Sequence, residues 1–180
     1  MFDDRKKWFQ IYTQPNAEKR LNTKLEALGT TSYLPLRKIT RQWSDRVKVI
    51  EEPAFKSYLF AKLLPEEMRS VERLSEFGFF VSYGGSNNGH GKVFPTITDQ
   101  DIEQIEAVLQ AFPEALMYED KQLKKDAQVV IREGSLKGYR GALLADATDN
   151  KVALALQGLS QSLVITVPVE FLDIEPQAQA

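Results

Sequence analysis

PAFKSYLF, residues 53–60, running on into Ala61, Lys62 and Leu63, is the stretch on which the first half of the chain turns. Read as an extended strand, it sends successive side chains to opposite faces. Tyr58 and Phe60 then share one face, and Leu59, Ala61 and Leu63 the other. Both faces are apolar, whereas an antiparallel strand commonly turns one face to water. The aromatic face is therefore covered either by the protein itself or by something it binds.

Working outward, WFQIY at 8–12 reads as a partner strand, with Trp8 and Tyr12 on one face and Phe9 and Ile11 on the other. Pro15-Asn16 punctuates the chain, with Asn16 as an N-cap candidate. Ala17, Leu21, Leu25 and Leu28 then form a helical stripe, and Gly29 stands where a helix ends. Residues 37–52, RKITRQWSDRVKVIEE, read as two strands around a Ser44-Asp45 tip. Pro65 with Glu66 and Glu67 opens a short helix striped by Met68, Val71 and Leu74. Phe79 to Tyr83 read as a strand, and GGSNNGHG at 84–91 as a glycine-rich loop. Thr98 and Asp101 have capping-box spacing ahead of a helix striped by Ile102, Ile105, Val108, Leu109 and Phe112. The order strand–helix–strands–helix–strand–helix predicts an α+β domain over 1–112, with helices on an antiparallel sheet.

Residues 113–124, charged and without a clear period, read as a linker. From about 125 the pattern becomes short strands: 129–131, 142–145, 152–156, 163–167 and a last piece near Leu172, with a turn at Asp149-Asn150. Short strands separated by turn signals predict a small β-barrel over 125–180, without helix.

The 180 residues are 43% hydrophobic and 27% charged, enough for a packed core. No run of about 18 apolar residues is present, so no membrane span is expected. With no signal-peptide pattern and no cysteine, a cytoplasmic protein is expected. The net charge of -2 is unevenly spread: residues 1–64 carry 13 Lys/Arg against 7 Asp/Glu, and the remainder 10 against 18. A basic first third points to an anionic partner, or to nothing more than solvated charge.

Motifs for chemistry are missing. The one histidine, His90, lies in the glycine loop. There is no serine-nucleophile elbow, no HExxH, and no P-loop order in GGSNNGHGK or EGSLKGYRG. No enzyme, metal site or cofactor is expected. Two binding surfaces stand out instead. The basic hairpin carries Arg37, Lys38, Arg41, Arg46 and Lys48 around Trp43, a pattern in which cations track phosphates while a ring stacks on a base. The bland alternative is that Trp43 packs back on its own domain. The second surface is the aromatic face of Trp8, Tyr12, Tyr58 and Phe60, which an uncovered sheet would present to a protein partner.

These stretches together resemble the NusG-type transcription elongation factors. Trp8-Phe9-Gln10-Ile11-Tyr12, the helix bearing Glu18 and Leu25, Tyr33-Leu34-Pro35, and Pro53-Ala54-Phe55-Lys56-Ser57-Tyr58-Leu59-Phe60 match their NGN domain. Val129 to Ile131 with Gly134, Gly138 and Gly141 match their KOW domain, an SH3-like barrel. Arg41-Gln42-Trp43-Ser44-Asp45-Arg46 resembles the specialised UpxY paralogues, antiterminators of surface-polysaccharide operons.

The resemblance implies a monomeric, non-catalytic factor whose NGN domain binds the β′ clamp helices of RNA polymerase. Tyr12, Tyr58 and Phe60 would line the contact, with Phe55 at its edge, so Tyr58 and Phe60 are expected partly exposed above buried Leu59 and Ala61. Bridging the clamp to the far side of the cleft would suppress pausing or termination. Nontemplate DNA would meet the basic hairpin, there by charge alone. A small-subunit ribosomal protein or Rho would be partners of the KOW domain. The alternative is a ribosome- or RNA-binding KOW module that does not touch polymerase. Two departures are visible: Leu136 replaces the aromatic of the KOW turn, and Lys56-Ser57 replaces a Pro-Gly pair.

Overall fold

The computed structural model describes residues 5–82, 93–145, 150–156 and 161–175. The expected glycine loop with His90, and Asp149 of the expected turn, lie outside them. Contacts group the chain into two units, residues 1–36 with 55–102, and residues 37–54 with 103–180. These units divide the chain differently from the expected 1–112 and 125–180.

The first unit is built on β1 (Lys7–Thr13) and β5 (Tyr58–Leu63), paired antiparallel with Phe9 opposite Ala61, Ile11 opposite Leu59 and Tyr12 opposite Tyr58. β2 (Thr31–Tyr33) pairs with the far edge of β5, and β6 (Phe77–Phe80) with the far edge of β1. The sheet order is β2-β5-β1-β6. α1 (Glu18–Ala27) and α2 (Met68–Glu72) bury Leu21, Leu25 and Val71 against Phe9, Ile11, Leu59, Ala61, Leu63 and Phe80. Helices therefore cover one face, as the strand alternation predicts.

Asn16 does not cap α1. It takes a positive φ of 56°, and Ala17 is the N-cap residue without a side-chain bond. The left-handed turn at Asn16 lets the chain reverse out of β1, a conformation asparagine tolerates better than most residues. Thr98 and Asp101 do form the expected reciprocal cap. Asp101 N–H donates to Thr98 Oγ1 at 3.1 Å, and Thr98 N–H to Asp101 Oδ2 at 2.9 Å. They open α3 (Asp99–Ala111).

The expected strand at 53–63 is broken. Pro53 ends β4 (Val47–Pro53), and β5 begins only at Tyr58. Between them Tyr58 N–H donates to the Phe55 carbonyl at 3.2 Å, closing a turn in which Ser57 has φ 63°. The positive φ prevents that segment from staying extended.

In the second unit β3 (Leu36–Gln42), which begins one residue before it, and β4 form a two-stranded sheet closed at its tip by Trp43 N–H donating to the Arg46 carbonyl at 2.8 Å. This is the expected hairpin. A six-stranded sheet holds β7 (Leu116–Glu119), β8 (Lys125–Ile131), β9 (Arg140–Leu144), β10 (Lys151–Ala155), β11 (Gln161–Thr166) and β12 (Leu172–Ile174). Its order is β12-β8-β9-β10-β11-β7, antiparallel throughout. The five strands expected beyond residue 125 are present, and among the described residues of this segment the one helical turn is Val169–Phe171. The expected linker at 113–124, however, supplies β7, whose Leu116 lies opposite Val164 of β11. Backbone pairing needs no hydrophobic period, so this strand leaves little trace in the sequence. Gly141 is needed where β9 meets β10: a Cβ there would lie 2.6 Å from Val152 Cγ1 and 2.8 Å from the Ala153 carbonyl.

A polar lock joins β1, β5 and the start of α3. Trp8 Nε1 donates to Asp99 Oδ1 at 2.6 Å, and Lys62 Nζ donates to both Asp99 oxygens at 2.7 and 2.9 Å. Lys62 also lies 5.9 Å from the Trp8 ring centre, within cation–π range. The Lys62 ammonium, and after it the Trp8 indole N–H, hold the Asp99 carboxyl below its usual range. A depressed carboxyl contributes stability that is present above its unfolded pKa and lost as pH falls through its folded value. We expect Asp99→Asn to destabilise the protein near neutral pH, and the gap to the natural protein to close in acid below the ordinary Asp range. Urea unfolding across that range measures it. Asp99 is largely exposed, so screening keeps the effect small.

Candidate functional site

The face of the first sheet opposite α1 and α2 carries the aromatic residues. Trp8, Gln10 and Tyr12 of β1 stand opposite Lys62, Phe60 and Tyr58 of β5, and Tyr33 of β2 stands opposite Phe60. Exposure is graded along this face. Trp8 is buried beneath the Asp99 contact and by the bridge that Ile97 makes to it. Phe60 is fully buried, and Phe55 is 2% exposed. Tyr12 and Tyr58 are partly exposed, and Phe79 of β6 is 54% exposed.

The expected pair of partly exposed rings thus divides. Tyr58 is at the surface, and Phe60 is not. Phe60 sits on an interior strand with Tyr33 stacked at 6.3 Å on one side and Phe55 edge-on at 6.3 Å on the other. Those two rings close over it and exclude solvent. Phe60 and Phe55 therefore support the patch rather than form its surface. Leu59 and Ala61 are buried, as expected.

The surface itself is three rings in contact. Tyr12 stacks on Phe79 with centroids 4.8 Å apart and planes 14° from parallel. On its other side it meets Tyr58 edge-on at 5.2 Å. Both geometries are favourable for aromatic quadrupoles. Phe79 is absent from the sequence-derived set because FGFF does not reveal which way each ring faces. The pairing with β1 decides that, and its register shifts between Tyr12 and Thr13. Gly78 permits the close approach: a Cβ there would stand 2.6 Å from the Tyr12 carbonyl oxygen and 3.3 Å from its ring.

Glu18, named in the sequence only as part of the helix that carries the resemblance, is a second participant. It lies in the first turn of α1, is 7% exposed, and its Oε1 accepts from Ser57 N–H at 2.7 Å. Thr13 N–H donates to the Ser57 carbonyl at 2.8 Å. The peptide units flanking Ser57 are thus tied to both α1 and β1. The turn between Phe55 and Tyr58 is held rigidly although Ser57 takes a conformation that costs a non-glycine residue about 1–2 kcal/mol. Serine here occupies the shape for which the Pro-Gly pair would serve, and Tyr58 keeps its place beside Tyr12.

The basic hairpin is a separate surface. Trp43 at its tip is 55% exposed, so it does not pack back, and Val47 and Val49 are exposed as well. Arg37 donates to Glu52 through Nε at 3.0 Å and also through Nη2. Arg41 Nη2 donates to the other Glu52 oxygen at 3.2 Å. Lys38 Nζ is 3.9 Å from a Glu51 oxygen. Arg37, more than Arg41, holds the Glu52 carboxyl below its usual range. Arg46 and Lys48 make no ion pair among the described residues. In the turn between β8 and β9, Leu136 is 1% exposed, so the aliphatic side chain that replaces the expected aromatic points into the core and offers no surface contact.

Among the described residues no three His, Cys, Asp or Glu side chains are grouped to hold a metal ion, and no helix is long and apolar enough to cross a membrane. The fold and its patch define a helix-backed antiparallel sheet with exposed aromatics, followed by a strand-rich module consistent with a KOW, SH3-like domain. Residues 6–106 match the family model described as "Transcription termination factor nusG". That is more than half of the chain, and the chain belongs to the NusG family of transcription elongation factors. Among solved structures, "Domain interaction in Thermotoga maritima NusG" is similar in fold, with TM-score 0.53 and 20% identity over 93% of this chain and 96% of that one. "Crystal Structure of MjSpt4:Spt5 complex conformation B" aligns over 96% of this chain and 99% of its own, at 17% identity and a TM-score of 0.29. No curated protein sequence matches the chain.

Replacing Ser57 by glycine should relieve the left-handed strain while adding glycine's unfolded-state entropy, for a net gain of about 0.5–1 kcal/mol. Phe60→Ala should lose about 3–5 kcal/mol. Chemical denaturation of the two variants checks both.

Proposed function

We propose that this chain is a transcription elongation and antitermination factor that binds RNA polymerase through the aromatic patch of its first unit. Tyr12, Tyr58 and Phe79 make the contact, and Phe55 and Phe60 hold it from beneath. The observation that carries this reading is the Tyr12-centred trio: three touching rings at the surface of a sheet whose other face is fully occupied by helices. Aromatic clusters of this kind gain most of their binding energy when a partner desolvates them. The tip of the β′ clamp helices, which the resemblance implies as the contact, is the partner assigned to this patch. The bound factor suppresses pausing or termination, and the basic hairpin, which carries Arg37, Lys38, Arg41, Trp43, Arg46 and Lys48, is the surface that faces the nontemplate strand. Residues 41–46 resemble the UpxY paralogues, and this resemblance supports an antitermination role.

Affinity for core polymerase, measured with Tyr12→Ala, Tyr58→Ala and Phe79→Ala, tests the patch. Each anchor should cost about 2 kcal/mol or more, roughly 30-fold. Wild-type affinity in a Tyr58→Ala/Phe79→Ala double variant would remove the patch from consideration. Transcription past a terminator, with and without the protein, tests antitermination directly, and unchanged readthrough counts against it.

The hairpin has its own test. Binding to single-stranded DNA should weaken with salt, and Arg46→Gln should make the logarithmic salt slope shallower by about 0.7, the share of one phosphate contact. An unchanged slope would show that Arg46 does not meet phosphate.

A further inference from the structure

We propose that Glu52 withholds Arg37 and Arg41 from phosphate, so that the hairpin engages single-stranded DNA through its tip alone. This rests on the hairpin being a nucleic-acid surface and concerns which of its cations act. The geometry is specific. One carboxylate oxygen of Glu52 takes two donors from Arg37, and the other takes Arg41 Nη2 at 3.2 Å. Both oxygens are used, one for each arginine. The Arg37 and Glu52 side chains are only 17% and 21% exposed, so this pair is also partly shielded from water.

A carboxylate and a phosphate compete for the same guanidinium fork, because both offer paired oxygens at matching spacing. A phosphate that took Arg37 would have to displace Glu52 and leave its negative charge beside the DNA backbone. Arginines already neutralised in this way add little to counterion release. Arg46 and Lys48 make no such pair among the described residues, and Trp43 stands exposed beside them. Trp43 and Arg46 close the turn through the bond from Trp43 N–H to the Arg46 carbonyl, and Lys48 follows two residues on, near the start of β4. The hairpin thus concentrates its available charge around one stacking ring. Binding then depends on the base that meets Trp43 more than on a long run of phosphates, which favours selectivity over tight general binding.

The test is a cycle of variants in the full chain, titrated with a single-stranded DNA of about 15 nucleotides over a salt series. Glu52→Gln keeps the shape and removes the charge. It should bind more tightly at low salt and steepen the salt slope by up to about 1.4, two released arginines at about 0.7 each. Arg41→Gln should leave the slope almost unchanged when Glu52 is present, and should make it shallower by about 0.7 in the Glu52→Gln background. The first of these two measurements does not depend on how well Glu52→Gln folds. A Glu52→Gln slope equal to that of the natural protein, or an Arg41→Gln loss as large as that of Arg46→Gln, would overturn the proposal. If Arg46→Gln lowers the slope and Glu52→Gln does not raise it, only the withholding role fails. If neither the natural protein nor Glu52→Gln binds the DNA, the nucleic-acid reading of the hairpin fails with it.

Discussion

The antiparallel register that places Tyr12 opposite Tyr58 governs the rest of the first unit. Strand side chains alternate with a period of two, so one register decides both faces at once. It sets Phe9, Ile11, Leu59 and Ala61 toward α1 and α2, where they form the core. The same register sets Trp8, Tyr12, Tyr58 and Phe60 toward the other side. A slip by one residue would turn the core residues to solvent and bury the tyrosine hydroxyls. The hydrophobic core and the candidate polymerase contact are therefore two consequences of one pairing.

Three devices keep that register useful. Glu18 and Thr13 grip the turn at Ser57, so the first residue of β5 cannot drift. Gly78 lets β6 come close enough for Phe79 to stack on Tyr12. Tyr33 and Phe55 seal Phe60, which gives the surface rings a dry, rigid floor. A patch with such support loses little side-chain entropy when a partner covers it, and this is what makes a small aromatic surface an effective contact. Each device joins segments distant in the chain, and the first two rest on a polar grip and a glycine rather than on an apolar stripe.

The hairpin follows a different logic. Its strands bury little, and its regularity rests on backbone pairing and on ion pairs between its own cations and Glu51 and Glu52. Counting charge along residues 37–48 overstates what such a surface offers to DNA, because it treats every cation as available. The geometry separates cations bound within the hairpin from those at its tip. The same carboxylates that reduce its net charge also fix the arginine side chains, since Arg37 and Arg41 share one acceptor group.

By itself the sequence determined the elements with strong periods. The stripe of Leu21 and Leu25, the alternation in β1 and β5, the Ser44-Asp45 tip, the Thr98–Asp101 cap and the short strands after residue 125 all follow from spacing and turn chemistry, which are local. The motif PAFKSYLF also pointed to the family that residues 6–106 go on to match. Tertiary structure alone decided four other things: that Phe60 is buried while Tyr58 is not, that Phe79 joins the patch, that residues 116–119 form a strand, and that Glu52 holds two arginines. Each depends on which segments lie side by side in space. Burial of a ring is set by its neighbours on adjacent strands, and the availability of a charge by the nearest opposite charge. Neither is a property of a residue's place in the chain.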